Sequence, residues 1–528
     1  MGLYFEPGNS GFQEVVRSEY VDKTGLIGLI NRTIGTKDKL TCISRPRRFG
    51  KSYAAQMLCA YYDCSCDSHE LFDDREVAAT EEYKDHLNRY HVVGIDVAGF
   101  VSMLKKQHKA MADIPGLIEK RIYEEMVAVY PELEQAGTLT DAFVKCVEIT
   151  GRKIIFVIDE WDALIREAKQ DEGAQIAYLN LLREWFKNIN FTPKVVAAAY
   201  MTGILPIKKD GSQSAISDFS EYPILDPGEF AGYTGFTQNE VREICDKHGM
   251  SFEEAKNWYD GYDFQGIGAI YNPYSVMQAM KKKKYSSYWK KTSAAESLLT
   301  YINMDFAGLQ ETISRLIAGE EMEVDTESFE NDFATFRNRD DVLTLLIHLG
   351  YLTWNETDGT AHIPNEEIRT EFRKILKSGD VNQGWVELLA RSQKLLEDTI
   401  AERSDCVAKA IDMMRETQYA PTFYNDEQAL RYVIKFAYIA AIDKYIKVEE
   451  LPSGKGIADV VYLPKRRSVL PAMIIELKWD KTSEGAISQI KDRNYPAVLQ
   501  DYGGEIVLVG INYNPKTKVH TCKIERAQ

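Results

Sequence analysis

The sequence predicts an α/β chain in three parts: a parallel sheet with flanking helices, then a helical and winged-helix-like region, then a small C-terminal α/β module. Three observations carry this. Apolar runs at 38–44, 91–97, 153–159 and 194–202 alternate with long amphipathic stretches, the pattern of buried parallel strands covered by helices on both faces. Around the turn signal Asp358-Gly359, Tyr351-Leu352-Thr353-Trp354 and Ala361-His362-Ile363 read as the two strands of a hairpin set between helices. Near the end, Gly456–Tyr462 and Met473–Lys478 read as neighbouring strands that carry acids inside apolar runs.

The first strand, Leu40 to Ser44, runs into Arg45-Pro46-Arg47-Arg48-Phe49-Gly50-Lys51-Ser52. Its last three residues are the ending of a phosphate-binding loop, set between a strand and a helix. Backbone N–H groups around Gly50, together with Lys51, suit phosphates, and the Ser52 hydroxyl suits Mg²⁺. The strand Ile154–Ile158 delivers Asp159 and Glu160 at its tip, an Asp for Mg²⁺ beside Ser52 and a Glu to activate water. The two halves together predict a P-loop sheet that takes ATP with Mg²⁺. Arg45 stands where such a loop usually opens with glycine, and Pro46 helps the turn by fixing φ. Arg47 and Arg48 are expected to contact phosphate or a neighbouring acid, since clustered arginines repel unless anions are near. Ligands in such sheets bind at the carboxyl ends of the strands. Asp96 and Thr202 fall there as well, Thr202 to orient the attacking water or sense the terminal phosphate, or else as a turn residue.

The expected divisions are 1–232 for the nucleotide domain, 233–375 for the helical and winged-helix-like region, 376–420 for a helical connector and 421–528 for the last module. The aromatic clusters Trp258-Tyr259-Asp260-Gly261-Tyr262 and Tyr271-Asn272-Pro273-Tyr274 read as packing, and Lys281 to Lys284 as a solvated helix end. The acidic wing favours a lid over the nucleotide rather than a DNA reader.

The last module carries a second chemistry. Residues two apart on a strand share a face, so Glu476 and Lys478 project together, and Asp459 joins them if the strands pair as a hairpin. Such a set fits phosphodiester hydrolysis: Asp459 and Glu476 hold Mg²⁺, with Glu427 as a further acid, and Lys478 positions the attacking water. Gln489 and Tyr495 are candidate substrate or supporting contacts. Two close carboxylates are expected to repel each other until a metal binds.

Bulk properties set the frame. The 528 residues suggest about three domains. The net charge of −16 is uneven, because residues 421–528 hold 16 Lys and Arg against 13 Asp and Glu, so nucleic-acid contact by the last module stays open. No apolar run approaches the roughly 20 residues that cross a bilayer, and the N-terminus shows no secretory signal. No membrane partner and a cytoplasmic location are expected. Eight scattered cysteines form no disulfide framework; Cys64-Ser65-Cys66 with His69 is the one cluster with metal-like spacing, and it lacks a fourth ligand nearby.

With these residues in view, the chain resembles the AAA-ATPase-like proteins of bacteria and archaea that carry a C-terminal PD-(D/E)XK nuclease domain. The resemblance rests on Tyr20-Val21-Asp22-Lys23-Thr24, the loop Arg45–Ser52, Ile158-Asp159-Glu160-Trp161-Asp162, Thr202-Gly203-Ile204, Trp258–Tyr262, Asn272-Pro273 and Ile363-Pro364-Asn365-Glu366. It continues through Ala458-Asp459, Glu476-Leu477-Lys478, Gln489 and Tyr495. Arg45 in place of glycine is typical of that family; Trp161 replaces a usual Tyr, and Ile457 a common Arg. The resemblance implies ATP binding and hydrolysis coupled to a metal-dependent nuclease, with nucleic acid, DNA foremost, as partner. The alternative is a nucleotide-controlled switch or scaffold whose last module binds nucleic acid without cleaving it. A nucleotide kinase is disfavoured, because Glu160 suits water activation. A homo-oligomer stays open, since AAA-type sites often borrow an arginine from a neighbour and none is assigned here.

Overall fold

The computed structural model describes residues 2–527 apart from 208–215, 265–266, 290–292, 305, 307, 330–335, 378–382, 419–429, 432, 435–436, 454–455, 466–469 and 493–503. The chain forms two compact units, one of Met1–Lys290 with Glu323–Ile368 and one of Lys291–Met322 with Arg369–Gln528.

The first unit is built on a five-stranded sheet: β1 (Leu40–Ser44), β2 (His91–Asp96), β3 (Ile154–Asp159), β4 (Val196–Gly203) and β5 (Ser220–Tyr222), in the order β2-β3-β4-β1-β5. Every pairing is parallel. The four apolar runs became β1 to β4, and β1 and β4 are buried along their whole length. Burial on both faces explains why they read as continuous apolar runs rather than as alternation. Helix α1 (Lys51–Tyr62) leaves the loop after β1, and α2 (Val97–Gln107) leaves β2 with the Asp96 carboxylate capping the Gly99 N–H at 3.1 Å. One apolar core lies on each side of the sheet, around Phe156 and Trp185 on one face and Leu58 and Tyr200 on the other.

The turn of the loop comes from Arg48 and Gly50, whose φ angles are +73° and +87°. A Cβ on Gly50 would meet no atom within 4 Å, so the left-handed backbone, not crowding, is what calls for glycine there. Arg45 is fully buried. Its guanidinium donates to the carbonyls of Ser44 (2.8 Å) and Tyr222 (2.6 Å) and faces the Phe264 ring. Arg45 therefore pins the start of the loop to β5, and burial lowers its pKa to about 10.

Further along, the helix α3 (Arg339–His348), the antiparallel hairpin β6 (Thr353–Asn355) with β7 (Thr360–His362), and the helix α4 (Glu366–Lys377) follow in the expected order. The back of the phosphate loop rests on this region: Phe49 packs edge-on to Tyr262, and the Tyr262 hydroxyl donates to the Gly350 carbonyl at 2.6 Å.

In the second unit, α5 (Gln383–Ile400) and α6 (Ser404–Gln418) precede β8 (Tyr445–Ser453), β9 (Gly456–Pro464), β10 (Ala472–Trp479), α7 (Ser483–Asp492), β11 (Ile506–Asn514) and β12 (Val519–Arg526). The sheet runs β8-β9-β10-β11-β12, and only β10 and β11 are parallel. Leu395, Val407 and Ile411 pack on one sheet face with Val460 and Ile475, whereas Ile487 and Ile490 of α7 cover Val461 and Ile474 on the other. The stretch expected as a connector, 376–420, thus supplies one layer of this domain: its amphipathic helices need an apolar partner, and the sheet provides it.

Candidate functional site

At the carboxyl ends of β2 and β3 lies a cavity of about 420 Å³, lined by Ser52, Asp96, Asp159 and Glu160 together with the cations Arg47, Lys105 and Arg166. Ser52 and Asp159 both line it. Burial pushes the Asp159 carboxyl up to about 6, Glu160 and Asp96 add to the rise, and Ser52 and Lys51 oppose it. An acid held in that state is short of positive charge. Lys51 is buried and folds back over its own loop, donating to the carbonyls of Arg45 (3.0 Å) and Pro46 (2.9 Å). Desolvation holds its ammonium below the ordinary range, against the pull of Glu160 and Asp159.

Glu160 sits at φ +52° and pairs with Arg166. That arginine also donates Nε to Asp162 at 2.9 Å, and Asp162 accepts the N–H groups of Ile204 (3.1 Å) and Leu205 (3.0 Å). The loop after β3 is thereby clamped to the loop after β4, with Trp161 N–H donating to the Thr202 carbonyl at 2.9 Å. A Cβ on Gly203 would come within 2.7 Å of the Trp161 ring and 2.8 Å of Asp162 Oδ1, so only glycine fits. Sequence reasoning misses Arg166. Its spacing of four from Asp162 on a helix is the available signal, an i,i+4 acid–base pair.

Of the residues expected at the nucleotide, Arg48, Gly50, Lys51 and Thr202 do not line this cavity. Arg48 donates to the Tyr288 carbonyl at 2.8 Å and stacks over the Tyr274 ring, because the left-handed turn at Arg48 sends its side chain toward the aromatic cluster. Thr202 is fully buried, its hydroxyl has no hydrogen-bond partner among the described residues, and it is not part of the cavity wall. Arg47, by contrast, lines the cavity. The Cys64/Cys66/His69 spacing does not converge either: His69 turns to Asp73 at 3.1 Å, and Cys66 to the Asp63 carbonyl.

In the second unit Asp459, Glu476 and Lys478 occupy one face of the sheet. The β9–β10 ladder ends at Val460–Ile475, and one step further the Asp459 carboxylate takes the Leu477 N–H at 2.8 Å. Val461 and Ile474, two residues from Asp459 and Glu476, lie under α7, so both acids face that helix. Gln489 of α7 reaches the Glu476 carboxylate, and Lys478 donates to it at 2.8 Å. All three charged residues are buried. Arg431, which no sequence motif marks, pairs with Asp459 at 2.6 Å. The expected repulsion between two bare carboxylates is therefore offset: Asp459 has Arg431, and Glu476 has Lys478. Glu427 and Tyr495 lie outside the described residues.

Residues 8–212 match the family model described as a predicted AAA-ATPase, and residues 425–523 match that of the PD-(D/E)XK nuclease superfamily. The chain thus carries an AAA-ATPase-like region followed by a PD-(D/E)XK nuclease superfamily region. An uncharacterized protein in the vnfD 5' region of Azotobacter chroococcum mcd 1 is 21% identical over 516 residues, 94% of this chain and 93% of that protein. Among solved structures, the Aeropyrum pernix ORC2 protein (ADPNP-ADP complexes) is similar at 11% identity and a TM-score of 0.34, over 69% of this chain and 98% of that one. Cdc6p from Pyrobaculum aerophilum is similar at 11% identity and a TM-score of 0.25, with the same coverage. Among the described residues no helix is long and apolar enough to cross a membrane.

Proposed function

We propose that the first unit hydrolyses ATP and that the second cleaves nucleic-acid phosphodiesters, DNA foremost, with Mg²⁺ serving both sites in the cytoplasm. The nuclease half is carried by Asp459, Glu476 and Lys478 sharing one buried face under α7. Three charges gathered there are costly for a protein that only binds. The ATPase half is supported by Ser52, Asp159 and Glu160 meeting Arg47, Lys105 and Arg166 around one cavity.

Ser52 and Asp159 would hold the ion in the first unit, and Asp459 and Glu476 in the second. A bound Mg²⁺ supplies charge that stabilises the phosphoryl oxygens and eases deprotonation of a water. The residues do the rest. Lys51 exchanges the carbonyls of Arg45 and Pro46 for phosphate oxygens, and Arg47 and Lys105 neutralise the remaining charge at the cavity wall. Glu160, oriented by Arg166, takes the proton of the attacking water. In the second unit Lys478 orients the nucleophile, and Gln489 fixes the Glu476 carboxylate.

The pairs Arg431–Asp459 and Lys478–Glu476 favour a second reading, a nucleotide-controlled switch or homo-oligomeric scaffold, because they balance the acids without metal. Incubation with end-labelled DNA and RNA, with and without ATP and Mg²⁺, separates the two. Mg²⁺-dependent fragments support the nuclease; retention on nucleic acid without fragments supports the switch.

A further inference from the structure

At the other end of β2 from the nucleotide cavity, three side chains meet that the activity above does not use: Glu6, Cys64 and His91. They come from separate segments. Glu6 follows the N-terminal stretch that bridges β2 through Phe5 and Val93, Cys64 follows α1, and His91 opens β2. Backbone bonds hold all three in place: Glu6 N–H donates to the Val92 carbonyl at 2.8 Å, Cys64 N–H to the Tyr90 carbonyl at 2.9 Å, and His91 N–H to the Lys153 carbonyl at 3.2 Å. His91 and Asp96 are five strand steps apart, roughly 16 Å at about 3.3 Å each, so this cluster is remote from the phosphate loop.

The hydrogen-bond arithmetic at His91 points outward to a cation. Thr150 donates its hydroxyl proton to the Cys146 carbonyl at 2.7 Å, so its oxygen can only accept from His91 Nε2–H at 2.9 Å. That assigns the ring proton to Nε2 and leaves the Nδ1 lone pair aimed at Glu6 Oε1, 2.7 Å away. Two acceptors at that distance require a shared positive charge, either a proton or a metal. Cys64 Sγ completes a triangle at 3.6 Å from Nδ1 and 3.7 Å from Oε1. A tetrahedral ion with Zn–S of about 2.3 Å and Zn–N and Zn–O of about 2.0–2.1 Å sets the S···N and S···O separations at roughly 3.5–3.6 Å and N···O at roughly 3.4 Å. Two sides of the triangle already fit, and the third opens by about 0.7 Å when the ion replaces the proton. Thr150 on Nε2 is the outer partner that metal-bound imidazoles usually have.

We propose that Glu6, Cys64 and His91 bind a divalent ion of the zinc class, with water completing four-coordination, and that the ion fastens the N-terminal segment to the sheet edge. On binding, the proton between His91 and Glu6 and the Cys64 thiol proton pass to solvent.

The test uses the full chain loaded with Co²⁺, whose thiolate charge-transfer band in the near-ultraviolet reports a cysteine ligand. The wild type should develop this band to saturation at one equivalent, and Zn²⁺ should bleach it. Cys64→Ser should abolish it, Glu476→Ala and Asp159→Asn should keep it, and Thr150→Val should weaken Co²⁺ binding about tenfold or more with all three ligands in place. A folded wild type without the band, or a band that survives in Cys64→Ser, overturns the proposal and leaves a proton-bridged His91–Glu6 pair.

Discussion

Replacing Asp159 with asparagine should stabilise the chain when nucleotide and metal are withheld, and the gain should depend on pH. Burial at the tip of β3 raises this carboxyl from its ordinary 3.8 to about 6. The unfolded chain therefore releases the proton near pH 4, whereas the folded chain keeps it until about pH 6. Between those values the folded state binds the extra proton, so stability falls as pH rises. The shift is about two pH units at about 1.4 kcal/mol each, a cost approaching 3 kcal/mol at pH 7 and none below pH 3.8. The amide of the variant carries no such charge. Urea unfolding in EDTA, from pH 4 to 7.5, reads the difference; tryptophan fluorescence suits it, since five of the seven tryptophans, Trp161 among them, lie in the first unit. The midpoint gap between Asp159→Asn and wild type should widen with pH and level off above about 6.5. A gap that is constant across this range would refute the argument.

Other outcomes follow from the same geometry. Glu160→Gln should retain ATP binding and lose turnover by about 100-fold or more, whereas Lys51→Ala should weaken binding itself; equilibrium binding of a fluorescent nucleotide and phosphate release separate the two. Gly203→Ala drives a Cβ into Trp161 and Asp162, so the thermal midpoint should fall in line with a loss of about 1–3 kcal/mol; an unchanged midpoint would mean that the two loops can part freely. Arg431→Ala leaves Asp459 without its cation, so Mn²⁺ should raise the thermal midpoint by more in the variant than in the wild type.

Much of the fold was legible because burial on both faces writes itself into the sequence: β1 to β4 and the paired strands β9 and β10 are apolar runs that little else explains. The strand β5 was not, since Ser220–Tyr222 is short and only half-buried. The helices of 376–420 were legible as helices but not as a layer of the last domain, because an amphipathic face does not name its partner. In the candidate sites, placements set by local geometry were legible: Ser52 in the first turn of α1, Asp159 at the tip of β3, and Glu476 with Lys478 on one face by the two-residue period. Those fixed by distant contacts were not. Arg48 is drawn to Tyr288, 240 residues along the chain, and Arg431 reaches Asp459 across 28. Glu6 joins His91 and Cys64 because an N-terminal segment pairs antiparallel with β2, and Cys64 meets His91 through the Asp63–Tyr90 bridge.

The most direct test of the central claim is cleavage of end-labelled DNA by the wild type, Glu476→Ala and Glu160→Gln in Mg²⁺ and ATP, with phosphate release measured in the same tubes. Glu476→Ala should make no fragments while hydrolysing ATP at close to the wild-type rate, because the two sites lie in separate units. Fragments produced by Glu476→Ala at the wild-type rate would contradict the claim.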